Sequence, residues 1–316
     1  MYSAMKNLGV LLILLVWFSG CRFFKGDPYR NTTISGKSVI AVDETFRPVM
    51  EAEIELFKAI YGYSEIDARY LPEPQAFDLL LKDSVQMIVA SRMLRTDEIS
   101  VLNSRKLFPK QLKIATDAIA LIVHPSCKDS LISMKQIKAI LSGEIITWNQ
   151  INPESPARPI KLLFDNKNSG IVKYLADSLC RGAFSAANAS AMEFNREVIE
   201  YTSTHPDVLG FVSTSWIANR NDSLHLSFHK KIKVVSVSEA DVPTPDNSYK
   251  PYQAYLLDNM YPLSRSVYMI NAEPRSGLSS GLVSFVASDK GQRIILKSGI
   301  IPAVAPTRVV NVRPHL

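Results

Sequence analysis

Three cysteines in 316 residues exclude a disulfide-stapled scaffold. Only 13 glycines and 18 prolines exclude a collagen-like or low-complexity chain. Long apolar runs are confined to the amino terminus, and a mean hydropathy of +0.03 lies far below that of a polytopic membrane protein. Clustered positive charge is also missing. The 36 basic residues exceed the 30 acidic ones by six, but they are scattered singly. No nucleic-acid stripe forms, and the charge amounts to mild anion steering. Metal-ligand spacing is absent from the five histidines except for His225 with His229, which lies in a strand-like polar segment. Residues 36–38 imitate the end of a P-loop, but Asn31 stands where the first glycine must fold the phosphate-cradling turn. What remains is a chain 47% hydrophobic, long enough for about two globular domains.

Residues 1–20 carry Lys6, an apolar run over 8–18 and then Ser19 and Gly20. This is signal-peptide anatomy, and the run is shorter than the roughly 20 residues of a membrane span. Phe18, Ser19, Gly20 and Cys21 resemble the lipobox of bacterial lipoproteins, which implies a lipidated Cys21 that anchors the mature protein to a membrane. Residues 21–35 then read as a tether. Cys127 and Cys180 are left, either bridged or as two thiols.

From residue 38 the chain alternates β-branched runs with amphipathic stretches. Strands are expected at 39–42, 67–70 and 87–90, with helices at 48–61 and 76–82 between them. A second set follows, with strands at 118–123 and 160–164 and helices at 134–142 and 170–179. Further strands are expected at 207–212, 233–237 and 266–270, and a helix at 282–297. Two α/β units result, each an open and mainly parallel sheet. In such sheets ligands sit at the carboxyl ends of strands, beside helix amino termini. Three junctions stand there: residues 43–46, Ser91 with Arg92, and residues 165–170.

Residues 277–281 spell G-x-S-x-G. The strand before them stops near Asn271 and the only downstream histidine is His315, so Ser279 or Ser280 reads as a helix N-cap rather than a hydrolase nucleophile.

The chain resembles, from about residue 38 to its end, the substrate-binding protein of the bacterial phosphate ABC importer, a type II periplasmic binding protein. The matching stretches are Thr45-Phe46-Arg47-Pro48, Ala90-Ser91-Arg92, residues 116–123 (TDAIALIV), 137–151 (IKAILSGEIITWNQI), 207–212 (DVLGFV), 261–268 (YPLSRSVY) and 289–302. The resemblance implies two lobes, residues 36–114 with 258–316 and residues 115–257, that close like a hinge near 113–117 and 255–261 over phosphate or a similar oxyanion. It implies delivery to an ABC permease of the inner membrane by a monomer on the periplasmic side, without catalysis, cofactor or metal. The ligand set it implies is Thr45, Phe46, Ser91, Arg92, Asp165, Ser169 and Gly170.

The departures from the family pattern carry information. The carboxylate after the second-loop serine is Arg92, and the arginine four residues before the third-loop serine is Asp165. The exchange implies an Arg92–Asp165 pair with its partners swapped, offering a guanidinium fork to ligand oxygens. Ile171 replaces a threonine, and Pro72-Glu73-Pro74-Gln75 replaces a Gly/Ser turn, so two hydroxyl donors are lost. Asp43 and Glu44 would repel a dianion if they faced inward. These losses support an alternative: a lipid-anchored receptor of the same fold that binds another small ligand or a protein.

Overall fold

Strand β1 (Gly36–Asp43) is a β-branched run whose last four residues are buried. It lies between two parallel neighbours, β2 (Ser64–Leu71) and β3 (Met87–Ala90), with Ile40 opposite both Ala68 and Met87. Burial on both faces explains its unbroken hydrophobicity. The computed structural model describes residues 30–180, 184, 187–218, 228 and 230–306. Cys21 and the signal segment, His225, His229 and His315 lie outside these.

Helix α1 (Arg47–Ile60) starts with Pro48 in its first turn and turns Val49, Met50, Glu53, Ile54 and Phe57 inward. Helix α2 (Glu73–Leu81) follows β2, and α3 (Thr96–Ser104) follows β3. Then comes β4 (Lys110–Val123), 14 residues long. Its first part pairs with β11 (Ser264–Asn271), and Ile119 to Ile122 pair with β8 (Val208–Ser213).

The second unit adds β5 (Leu131–Ser133), α4 (Met134–Ser142), β6 (Lys161–Phe164), α5 (Gly170–Tyr174), β7 (Ala189–Ala191) and α6 (Asn195–Thr202). After β8 come β9 (Lys233–Val234), β10 (Ser236–Ser238) and α7 (Gln253–Leu257). The chain ends its described part with α8 (Leu278–Ala287), α9 (Asp289–Lys297) and β12 (Ile301–Pro302). The main sheet runs β2-β1-β3-β11-β4-β8-β6-β7. Every antiparallel pair in it involves β4 or β11, and all the others are parallel. The two crossing strands therefore stitch together two parallel half-sheets.

The hydrophobic interior divides at the same place. Ala115 and Val267 pack with Ile40, Phe57 and Phe285, whereas Ala118 and Leu263 pack with Ile137, Trp148 and Phe211. The side chains of β4 thus change cores within three residues, which makes it the strand common to both lobes.

Four expectations change. The helix expected at 282–297 is two helices, because Ser288 ends α8 in extended backbone and caps α9. Neither Ser279 nor Ser280 is the cap of α8: Asn31 accepts the Leu278 N–H and Glu273 accepts those of Gly277 and Ser280, while Ser279 is buried against the Ser38 hydroxyl at 2.6 Å. The strand expected at 233–237 splits, because β9 pairs with β4 and β10 with β5. The helix expected at 170–179 is α5 continued by a wider turn over Leu175–Leu179. Cys127 and Cys180 are free thiols. No helix among the described residues is long and apolar enough to cross a membrane.

Glu53 stands out in the α1 interface. It is fully buried and neither carboxylate oxygen has a hydrogen-bond partner. Burial pushes it up to about 9. Between its ordinary value of 4.5 and about 9, the unfolded chain gives up a proton that the folded chain keeps. Stability therefore falls as pH rises through that window. Glu53→Gln should raise the Tm by several degrees at about pH 9 and by much less at about pH 5. Melting curves of the two proteins that stay parallel across this range would contradict an unpaired buried carboxyl.

Candidate functional site

The carboxyl end of β1 turns sharply. Asp43 Oδ1 accepts the Thr45 N–H at 3.1 Å and so caps the turn Glu44–Phe46. This local bond fixes four consecutive residues, and Asp43, Glu44, Thr45 and Phe46 are all buried. In the second lobe, β6 runs into Asp165. Ser169 then caps α5 by accepting the Val172 N–H at 3.2 Å. The N–H groups at the first two positions of such a helix have no carbonyl within it to bond.

The two loops meet. A Cβ on Gly170 would lie 2.4 Å from both Asp43 Oδ2 and Glu73 Oε2, and 3.3 Å from Arg265 Nη1. Glycine is what lets the start of α5 approach the carboxyl groups of the other lobe so closely.

Arg265, on β11, is the guanidinium of this site. Its Nε and Nη2 reach Asp117 Oδ2 at 3.2 and 3.1 Å, and its face covers the Phe46 ring at 4.8 Å. Both members of the pair are essentially unexposed. Nη1 is buried with no hydrogen-bond partner, as are Thr45 Oγ1, Asp43 Oδ2, Asp165 Oδ1 and Glu73 Oε1. The fork has one arm tied and one arm aimed at Gly170.

The expected Arg92–Asp165 pair is not formed. Arg92 donates Nη1 and Nη2 to the two oxygens of Glu98, each at 2.8 Å, and stacks on Phe77 at 3.5 Å. Burial opposes ionisation of Glu98, but the bonds from Arg92 and Arg95 outweigh it and hold the carboxyl below its usual range. With Nη1 and Nη2 on Glu98, a further Nη1 bond to the Met93 carbonyl and its face on Phe77, the guanidinium is held to its own loop rather than to Asp165. Asp165 instead accepts from Asn195 Nδ2 at 3.1 Å. Ser91 Oγ donates to Glu73 Oε2 at 2.7 Å, so its hydroxyl is committed to a carboxylate.

Further bonds hold the lobes together. Asn195 Nδ2 also donates to Glu44 Oε2 at 2.7 Å, and Ser215 Oγ donates to the Thr45 carbonyl at 3.2 Å. Between these contacts lies a cavity of about 300 Å³ whose walls include Asp43, Glu44, Tyr70, Asp165, Ser169 and Phe194. Arg47 sits at its side, 4.4 Å from the Tyr70 ring and 5.5 Å from that of Phe194.

The interior is strongly acidic. Burial first, and then the Glu73 carboxylate, push Asp43 well above its usual value against the pull of Arg265. Burial, aided by Asp165 and opposed by Asn195, pushes Glu44 up to about 8. Burial takes Asp165 to about 6 against the Ser169 hydroxyl and Arg265. Asp117 is also raised by burial, with Arg265 opposing. Several of these carboxyls are therefore hydrogen-bond donors near neutral pH. Among the described residues no cluster of His, Cys, Asp or Glu is placed to hold a metal ion.

Arg265, Asp117, Asn195 and Glu73 escaped the sequence reading as site residues. A signal existed for two of them. Over residues 264–269 of β11, Arg265, Val267 and Met269 are buried and alternate with the half-buried Ser264, Ser266 and Tyr268, and an arginine in that register needs a buried carboxylate across the ladder, where Asp117 faces it.

Two α/β lobes joined by crossing strands, with charged and hydroxyl groups from both meeting at a shared cavity, define the architecture of a type II periplasmic binding protein. The chain belongs to the PBP superfamily, whose domain matches residues 27–290. The family is one of substrate-binding transport proteins, not enzymes. A phosphate-binding protein PstS of Staphylococcus aureus is 21% identical over 267 residues, 83% of this chain and 77% of the relative. A Clostridium perfringens protein assigned as a phosphate ABC transporter substrate-binding protein, solved with bound phosphate, aligns with a TM-score of 0.71 at 20% identity over 85% of this chain and 100% of that one. An ABC-type phosphate transport receptor from Vibrio cholerae aligns at 0.60 and 17% identity over 84% and 99%. Proteins of this phosphate-importer type are extracytoplasmic.

Arg92→Ala should lower stability by about 1–3 kcal/mol, because the buried Glu98 loses its bidentate partner. It should leave the affinity for any cleft ligand unchanged. Loss of ligand affinity at unchanged Tm would restore Arg92 to the site.

Proposed function

We propose that the chain is the solute-binding protein of an ABC importer, and that it captures phosphate or a similar small oxyanion outside the cytoplasm and hands it to a membrane permease. One observation carries this reading: the free arm of the buried Arg265 points at the start of α5, in the seam between the lobes. Thr45 Oγ1, the Phe46 and Gly170 N–H groups, Arg265 Nη1 and Ser169 are the donors for the anion, and Asp165 accepts its proton. A carboxylate acceptor favours phosphate over fully ionised sulfate, which meets it lone pair to lone pair. Opening and closing flex residues 113–117 of β4 and residues 255–261 between residues 36–114 with 258–316 and residues 115–257. Cys21, lipidated after removal of residues 1–20, anchors a monomer to the membrane through the tether that follows.

A second reading, of a receptor for another small ligand, is favoured by a specific observation. Carboxylate oxygens of Asp43 and Glu73 already lie against Gly170, where an anion would be received.

Thermal melting of the delipidated protein with phosphate, sulfate, tungstate, sugars and amino acids separates the two. A ligand at 100 times its Kd stabilises by about 2.7 kcal/mol, and phosphate is expected to do so. Response to a sugar or amino acid alone would favour the receptor. Thr45→Val, which keeps the side-chain shape and removes one donor to the anion, should weaken phosphate by roughly 10- to 100-fold. An unchanged affinity would take Thr45 out of the ligand set.

A further inference from the structure

Arg47 opens α1 directly after the turn that carries Thr45, yet its guanidinium is held by rings more closely than by carboxylates. Its Cζ lies over the Tyr70 ring at 4.4 Å and over the Phe194 ring at 5.5 Å. Nε and Nη1 stand 3.8 Å from Glu44 Oε1 and Glu51 Oε1, beyond hydrogen-bond length, and Nε is buried without a hydrogen-bond partner. Tyr70 belongs to β2 of the first lobe, whereas Phe194 directly precedes α6 of the second. The guanidinium therefore spans the seam.

This contact lies at the rim of the cavity. Asp43, Glu44, Asp165 and Ser169 form its buried floor, and Arg47, Tyr70 and Phe194 are half-buried around it. The residue after Phe194 reaches deeper: Asn195 donates its N–H and Nδ2 to Glu44 Oε2 at 3.3 and 2.7 Å, while its Oδ1 accepts the Ser213 N–H. Two consecutive residues of the second lobe thus grip two residues of the first that stand three apart, Asn195 at depth and Phe194 at the solvent boundary.

Resting on the solute-capture reading above, we propose that Arg47 and Phe194 form a clasp across the mouth of the cavity, and that this clasp sets how long a captured solute is held. Tyr70 shares a lobe with Arg47 and stays with it when the lobes part, so parting costs the guanidinium only the Phe194 face. Closure takes water from that guanidinium, and a cation over an aromatic ring is attracted more strongly once desolvated. A contact made only in the closed form slows opening and leaves encounter alone, so it acts on release rather than on capture. The planar guanidinium can also stack on a ring, which a lysine ammonium cannot do.

Stopped-flow measurement of inorganic phosphate binding to the full chain and release from it tests the clasp. Phe194→Leu keeps an apolar cover without a ring, and Arg47→Lys keeps the charge without a plane; melting curves show that each variant folds. Each should release phosphate roughly 3- to 30-fold faster, with an association rate within about twofold of the parent's. The double variant should release it no faster than the quicker single one, because both substitutions remove the same contact. Unchanged release, or two effects that multiply, overturns the clasp and leaves phosphate capture standing. Should the parent bind no phosphate, the capture reading falls, and small-angle scattering of the ligand-free proteins decides the clasp by itself. A larger radius of gyration for both variants then supports it, and radii equal to the parent's overturn it.

Discussion

The ion pair between Arg265 and Asp117 is the constraint on which the site depends. Two groups of opposite charge are held out of water, each useless to the fold without the other. Removing one would strand the other, which commonly costs 3–5 kcal/mol. They sit on β11 and β4, the two strands that carry the chain between lobes. The pair therefore pins the guanidinium where the two half-sheets join. Because Nε and Nη2 are spent on Asp117, only Nη1 is free, and its direction is set by the strand register rather than by a flexible side chain. Such preorganisation lowers the cost of ordering a binding group when ligand arrives.

The surrounding acidity follows from the same geometry. Asp43 must face inward because its other oxygen caps the turn that begins α1. Glu44 is held inward by Asn195 across the seam. These carboxyls are kept from repelling one another by burial, which favours their neutral forms. The interior thus resembles a set of polar neutral groups more than a set of anions, and a site of this kind is sensitive to protons in a way that a cradle of amides and hydroxyls is not.

Much of the fold could be read along the chain, because it rests on local patterns. The run at residues 39–42 and the amphipathic stretch at 48–61 each announce an element whose neighbours are close in sequence. Helices α3 and α6 were missed: α3 buries only Glu98 and Leu102, and α6 buries Asn195, Val198, Ile199 and Thr202, a helical spacing half of whose members are polar. The site was legible where it is local: Thr45, Ser169 and Gly170 are marked by turn and cap chemistry. It was misread where it depends on tertiary pairing. Arg92 and Asp165 looked like exchanged partners, yet Glu98, six residues further on, captures Arg92 through a short loop, and the guanidinium of the cleft arrives from Arg265 on a strand more than 170 residues away from Arg92. Charge exchange at two positions is a claim about a contact, and sequence does not specify contacts between distant elements without a register.

Diffraction from crystals soaked with tungstate, a heavy tetrahedral oxyanion, would test the central claim most directly through the anomalous signal of the metal. The account places a single strong peak in the seam between the lobes, within hydrogen-bond reach of Arg265 Nη1 and the amide of Gly170. A peak at the pocket where Arg92, Arg95 and Lys173 stand beside Glu73, Asp78 and Glu98 instead, with the seam empty, would contradict it.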